Sequence, residues 1–227
     1  MKHWKKYLEA KKLVDKTKKY SISEAVELAK KVAYTKFDPT LEVHIQTNAN
    51  PKYNDQQLRW TVVLPHGTGK QVKVAAFVSD DKIEEAKQAG ADIVWNTDLL
   101  SQIESGKIDF DVLVTTPEMM RDLAKVARIL WPKGLMPSPK AGTVTPKLAD
   151  TIKEIKKGRV EFKLDKGGVI HVGVGKLRAF DSKQLEENIK ALLDAVKAAK
   201  PSGVKWQLIK KVHIAPTMGP GIQISAN

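Results

Sequence analysis

The chain has 227 residues, 42% hydrophobic and 29% charged, with a formal net charge of +13 and no cysteine. That length suits one large domain or two small ones, and the missing cysteines exclude disulfides and thiolate metal sites. No run of about 18 apolar residues occurs, which excludes a membrane-spanning helix, and the positive excess points to a polyanionic partner.

The charge is unevenly spread. Residues 69–157 carry 14 Lys+Arg against 13 Asp+Glu, whereas 1–68 and 158–227 together carry 25 against 13. Phosphate neutralisation supplies most non-specific affinity for nucleic acid. The flanks are therefore the expected binding surface, and the middle is expected to do something else. The Lys-rich start, Met1 to Lys19, has no apolar stretch, so it does not read as a signal peptide. A cytoplasmic protein is expected.

In chain order, Ser21-Ile22-Ser23-Glu24 is a capping box ahead of Ala25, Val26, Leu28, Ala29 and Val32, which recur at helical spacing. Leu41, Val43 and Ile45 alternate with Glu42 and His44, the pattern of a half-buried strand, and Leu58 to Leu64 is a second strand. Val72–Val78 then opens an alternation: a helix over Asp81–Ala89 closed by Gly90, a strand at Asp92–Val94, and a helix lined by Leu99, Leu100 and Ile103. A strand at Phe110–Thr115 follows, then a helix opened by Pro117 and running to about Leu130. Strand–helix alternation of this kind predicts a small parallel, Rossmann-like sheet. Past Gly158, Arg159–Leu164 and Val169–Val174 alternate on either side of Asp165-Lys166-Gly167-Gly168, which predicts a β-hairpin. Leu185, Ile189, Leu192, Leu193 and Val196 mark one face of a long helix, and Leu208–Ile214 and Ile222–Ile224 are the final strands. The prediction is a mixed α/β and α+β protein of two domains. Residues 1–68 plus 158–227 form a discontinuous α+β domain, and 69–157 form an inserted Rossmann-like, three-layer α/β domain.

Catalytic signatures are missing. Gly67-Thr68-Gly69-Lys70 lacks the earlier Gly and the following Ser or Thr of a phosphate loop, since Leu64 and Gln71 stand there. No Gly-x-Gly-x-x-Gly follows Val72, and Gly-x-Ser-x-Gly is absent. His3, His44, His66, His171 and His213 show no metal-binding spacing. No cofactor, metal or catalytic residue is assigned, and a small nucleotide-dependent enzyme is the least favoured reading.

Two loops have the composition of an RNA contact. Tyr34 to Thr40 sets Lys36 beside Phe37, a cation for phosphate and a ring that can stack; the alternative is that Phe37 belongs to the core. Thr217-Met218-Gly219-Pro220-Gly221 offers a hydroxyl, an adaptable apolar side chain and a glycine that lets backbone approach a sugar; the alternative is an ordinary turn. Lys166 and His171 are weaker candidates. A third Pro/Gly-rich element, Gly134 to Thr145, lies in the near-neutral middle segment and is either an auxiliary RNA contact or a structured loop.

These loops, with Leu64-Pro65-His66-Gly67-Thr68-Gly69-Lys70, resemble the large-subunit ribosomal protein L1 family over nearly the whole chain. The resemblance implies a discontinuous first domain and an inserted second one, with a hinge where the chain crosses twice, at Gly67, Gly69 and Gly158. It implies RNA contacts from Lys36, Phe37, Thr40, Glu42, Lys166, His171, Thr217, Met218, Gly219 and Pro220. The implied partners are the L1-stalk region of large-subunit rRNA, the exit-site tRNA whose deacylated form a mobile stalk releases, and the protein's own mRNA. The protein would be a monomer within the ribosome; a non-ribosomal RNA-binding regulator would share the same surface. All five tryptophans, Trp4, Trp60, Trp95, Trp131 and Trp206, stand where the family pattern has glycine. One cause would account for all five: a UGA codon read as glycine in some bacterial lineages, written here as Trp; the alternative is five genuine tryptophans, some exposed for RNA stacking. Positive-φ turns that only glycine enters are then expected at these sites.

Overall fold

A computed structural model describes residues 5–95, 100, 103–106 and 108–225. The chain divides into two compact units, residues 1–70 with 160–227, and residues 71–159.

The first unit is built on an antiparallel four-stranded sheet of order β7-β1-β8-β9, formed by β1 (Thr40–Thr47), β7 (Val169–Lys176), β8 (Ile209–Pro216) and β9 (Ile222–Ile224). Helix α1 (Lys5–Lys12) precedes α2 (Ile22–Val32), which starts at the expected capping box: Glu24 N donates to Ser21 Oγ and Ser21 N to the Glu24 carboxylate, both at 3.3 Å. Helix α2 and the long helix Ser182–Ala198 bury their apolar stripes against one face of the sheet. In β1 the alternation is strict: Leu41, Val43, Ile45 and Thr47 are buried in that core, while Thr40, Glu42, His44 and Gln46 turn to the other face. That other face carries no core cluster among the described residues. It is an open, polar sheet surface, the arrangement antiparallel sheets permit and parallel ones do not.

The second unit is a three-stranded parallel sheet of order β4-β3-β5, from β3 (Val74–Phe77), β4 (Ile93–Trp95) and β5 (Val112–Thr115). All of β3 is buried because it is covered twice. Ala75 and Phe77 pack into a cluster with Ile103, Leu113, Leu123 and Leu130; Val74 and Ala76 pack into another with Ala86, Leu148 and Ile152. Helices α3 (Ile83–Gln88) and Leu148–Lys156 lie on this second side. This is the three-layer α/β arrangement.

Several expectations are corrected. The turn at 165–168 forms and closes a short hairpin, with Gly168 N donating to Asp165 O and Asp165 N to Val169 O, but the ladder does not extend along the arms: β6 (Arg159–Lys163) pairs with β2 (Arg59–Val63) in a separate two-stranded sheet. One bridge, Leu164 to Ile170, is what remains of the expected ladder. Alternation marks a half-buried strand without naming its partner. The helix expected from Pro117 begins at Met120 and is broken by a 3-10 turn over Ala124–Val126. Helix α1 was not expected; its sequence is dominated by lysine, and Ala10 and the following Val14 are what it contributes to the core. Leu99, at the start of the helix expected after β4, lies outside the described residues.

The Gly134–Thr145 element is an ordered loop. A 3-10 turn over Pro139–Ala141 ends at Gly142 (φ +65), and the chain then runs beside β5, with Thr115 N donating to Thr143 O and Thr145 N to Thr115 O. A Cβ on Gly142 would stand 2.2 Å from the guanidinium of Arg159, which itself donates to Ala141 O at 3.1 Å.

No tryptophan among the described residues has a positive φ, so the expectation of glycine-only turns at these positions is not met. Trp131 and Trp206 are nonetheless 79% and 80% exposed, and the folded core uses neither. Trp4 and the side chain of Trp95 lie outside what is described.

Candidate nucleic-acid interface

The loop that enters β1 and the loop that leaves β8 meet at one end of the four-stranded sheet, because β1 and β8 are neighbours running in opposite directions. Three hydrogen bonds join them at their roots. Thr217 N donates to Thr40 O at 3.0 Å, Thr40 N donates to Thr217 Oγ1 at 3.1 Å, and that hydroxyl in turn donates to Thr40 O at 3.2 Å. Further out, the Tyr34 hydroxyl donates to Met218 O at 2.6 Å. Met218 has φ +66, the one positive-φ non-glycine among the described residues. Such backbone costs of order 1–3 kcal/mol and persists where its surroundings hold it; here Tyr34 and the Thr40–Thr217 pairing do so.

The result is two exposed apolar groups on a fixed base: Phe37 at 52% and Met218 at 64% exposure, with Lys36 exposed alongside. Phe37 is therefore not a core residue. Its loop is held from below by Arg178, whose guanidinium donates to Lys36 O at 3.0 Å and to Thr35 O at 2.5 Å, and whose backbone N donates to Asp38 Oδ1 at 2.9 Å. Arg178 and Tyr34 do the positioning, and neither was singled out from the sequence. An arginine just after a strand looks like any basic surface residue until the loop it clamps is known.

Gly219 is needed for a reason internal to the protein. A Cβ there would lie 2.4 Å from Pro216 Cγ, and Gly219 N closes the turn on Pro216 O at 2.7 Å. Pro220 follows in the same turn and is buried.

Glu42 and His171 lie on the open sheet face beyond this end. Glu42 pairs with Gly173 of β7 and Ala215 of β8. His171 pairs with His44, which pairs on its other side with His213. Lys166 is not brought together with Phe37 and Met218. It sits on the turn before Val169, and β7 runs from Val169 to Lys176 before reaching the Thr40 end, seven steps of roughly 3.3 Å. The Asp165 side chain builds that turn by accepting from Gly167 N at 2.8 Å and Val169 N at 2.7 Å, and the bond from Val169 is the foremost cause holding its carboxyl below the ordinary range.

Two of the histidines have their pKa lowered. Burial lowers the pKa of His44 from the ordinary 6.5, with the nearby His171 adding to the effect. Burial likewise lowers that of His213, with Lys211 adding to it. Among the described residues no group of three or more His, Asp and Glu side chains could hold a metal ion, and no helix is long and apolar enough to cross a membrane.

A basic α+β unit with an open polar sheet and paired loops at one end, together with an inserted parallel α/β unit, defines a two-unit α/β class of protein with a basic, open sheet surface. Comparison with known proteins makes this specific. A family model described as "Ribosomal protein L1p/L10e family" matches residues 29–220. Large ribosomal subunit protein uL1 of Kosmotoga olearia is 53% identical over 220 residues, 97% of this chain and 95% of the relative. The proteins of the same name from Thermosipho africanus and Thermosipho melanesiensis are 53% and 52% identical, covering 98% and 99% of this chain and 96% and 97% of theirs. The chain belongs to the ribosomal protein L1 family.

Proposed function

We propose that this protein is a component of the large ribosomal subunit that binds the L1-stalk region of large-subunit rRNA through its first unit. The observation that carries the proposal is the joined end of the sheet, where exposed Phe37 and Met218 stand on a hydrogen-bonded base with Lys36 and Thr217 beside them. An unstacked base can lie on the Phe37 ring, Met218 can adapt to a sugar or base face, and Lys36 can meet phosphate. Thr40 and Glu42 continue this surface along β1, and Lys166 and His171 extend it along β7.

The finer reading is that the stalk carrying this protein moves to release deacylated tRNA from the exit site, and that the same surface binds the protein's own mRNA and represses its translation. Motion would be taken up near the two chain crossings, where Gly67, Gly69 and Gly158 have φ of +69, +70 and +103, conformations that suit glycine. No catalytic role is assigned.

The test is binding of an L1-stalk rRNA fragment to the protein and to the double variant Thr217→Ala, Met218→Ala. Loss of ~10²-fold or more in affinity in the variant is expected, since one or two contacts of 1–3 kcal/mol each are removed. Equal binding by both proteins refutes the assignment of this site.

A further inference from the structure

The open face of the sheet carries a row that the proposed contacts only touch. Across four adjacent strands stand His171 (β7), His44 (β1), His213 (β8) and Gln223 (β9), each directly opposite the next in register. His44 Nδ1 lies 2.8 Å from His171 Nδ1. The outer nitrogens of the pair look at carboxylates: His171 Nε2 is 3.3 Å from Asp165 Oδ2, and His44 Nε2 is 3.8 Å from Glu42 Oε2. Lys211, two pairs further along β8 and opposite Gln46, adds a cation on the same face. The face is continuous with the proposed RNA contact through Glu42 and Thr40.

The proton count of this chain of groups is informative. A carboxylate only accepts, so His171 Nε2 carries a proton toward Asp165. One proton must also lie between the two Nδ1 atoms. With both rings neutral, His44 Nε2 is then a bare lone pair facing the Glu42 carboxylate. One added proton repairs this: three of the four ring nitrogens then carry a hydrogen while His171 Nδ1 accepts, and Asp165, the Nδ1–Nδ1 contact and Glu42 each receive one. In the free protein, burial and the crowding of three imidazoles oppose that proton, so the row stands one proton short of its best-paired state. A phosphate backbone laid along the face reverses the balance, because nearby negative charge favours the protonated ring.

We propose that the His171–His44–His213 row is an additional RNA-contact surface of this protein, and that RNA binding there takes up a proton. This rests on the proposed function and extends the same site across the sheet. By linkage, a proton bound more tightly in the complex than in the free protein makes RNA affinity rise as pH falls through the histidine range. His44 supplies the proton-accepting nitrogen, and His213 lies on its other side within the same field.

The test is the affinity of the full chain for an L1-stalk rRNA fragment between pH 8 and pH 5.5 at fixed salt, with calorimetry at pH 6.5 in two buffers of different ionisation heat. Affinity roughly tenfold tighter at the lower pH is expected, the ratio one pKa unit between free and bound protein produces, together with net proton uptake in the buffer comparison. The His44→Gln, His213→Gln variant is expected to lose both. If that variant does not fold, imidazole proton signals of the unaltered protein, free and bound, decide the matter: the His44 titration must move upward in the complex. Tight binding that is independent of pH, with no proton uptake, overturns this inference and leaves the proposed function standing. Absence of tight binding at every pH overturns both.

Discussion

At the scale of single residues, Met218 carries the clearest conflict between stability and use. Its φ of +66 is one that glycine adopts at little cost. Met218→Gly is expected to stabilise the protein by about 1 kcal/mol, seen as a higher midpoint in urea, while weakening binding to the rRNA fragment. A loss of stability instead would mean that the side chain packs within the protein. The tryptophans pose a different question. Trp131 and Trp206 place large rings in water and Trp60 is 58% exposed, so three of the five contribute no core contact. If a UGA codon read as glycine underlies them, intact mass spectrometry of protein from its native source will fall short of the written sequence by five indolylmethyl groups; a full mass would establish five genuine tryptophans.

At the scale of elements, the long helix Ser182–Ala198 contains an exception that periodicity does not reveal. Asn188 lies on its buried face and is fully buried. Its amide donates to Val174 O at 2.8 Å and Gly67 O at 2.9 Å, and its carbonyl accepts from His66 N at 3.1 Å. One side chain thus ties the helix to β7 and to the Leu64–Gly69 turn. Asn188→Leu keeps the volume and the helix but leaves three backbone groups without partners. A loss of roughly 2–4 kcal/mol is expected in denaturant unfolding. A neutral result would show that water reaches these groups. The row of histidines on the opposite face carries its own pH signature. His44 and His213 bind protons less readily folded than unfolded, so the stability they contribute is present above about pH 6.5 and declines as pH falls through the unfolded value.

At the scale of the molecule, charge is separated between the units. The second unit has nearly balanced charge, and the first holds almost all of the +13 excess. Lysines of the first unit should therefore set the salt dependence of RNA binding. Lys36→Gln with Lys211→Gln is expected to reduce the slope of log affinity against log salt by about 1–2, whereas Lys125→Gln with Lys133→Gln should leave it unchanged. The reverse pattern would place the RNA on the second unit.

Much of this was legible in the sequence, for physical reasons. Period-2 alternation in β1, the capping box at Ser21 and the apolar stripe from Leu185 to Val196 are local patterns. Each depends on which face of one element is buried, and each reappears in the fold. Charge separation likewise came from composition along the chain, whereas the pairing of the two loops was implied only by the family resemblance. Partnership was not legible. Arg159–Lys163 reads as one arm of a hairpin, yet it pairs with Arg59–Val63, some hundred residues earlier. Arg178 beneath Phe37, Tyr34 on Met218, Asn188 among leucines and the row of three histidines all join residues far apart in the chain. Hydrophobic patterning determines what an element buries, whereas strand order and side-chain hydrogen bonds depend on which surfaces meet once the core closes, and that was decided only by the tertiary structure.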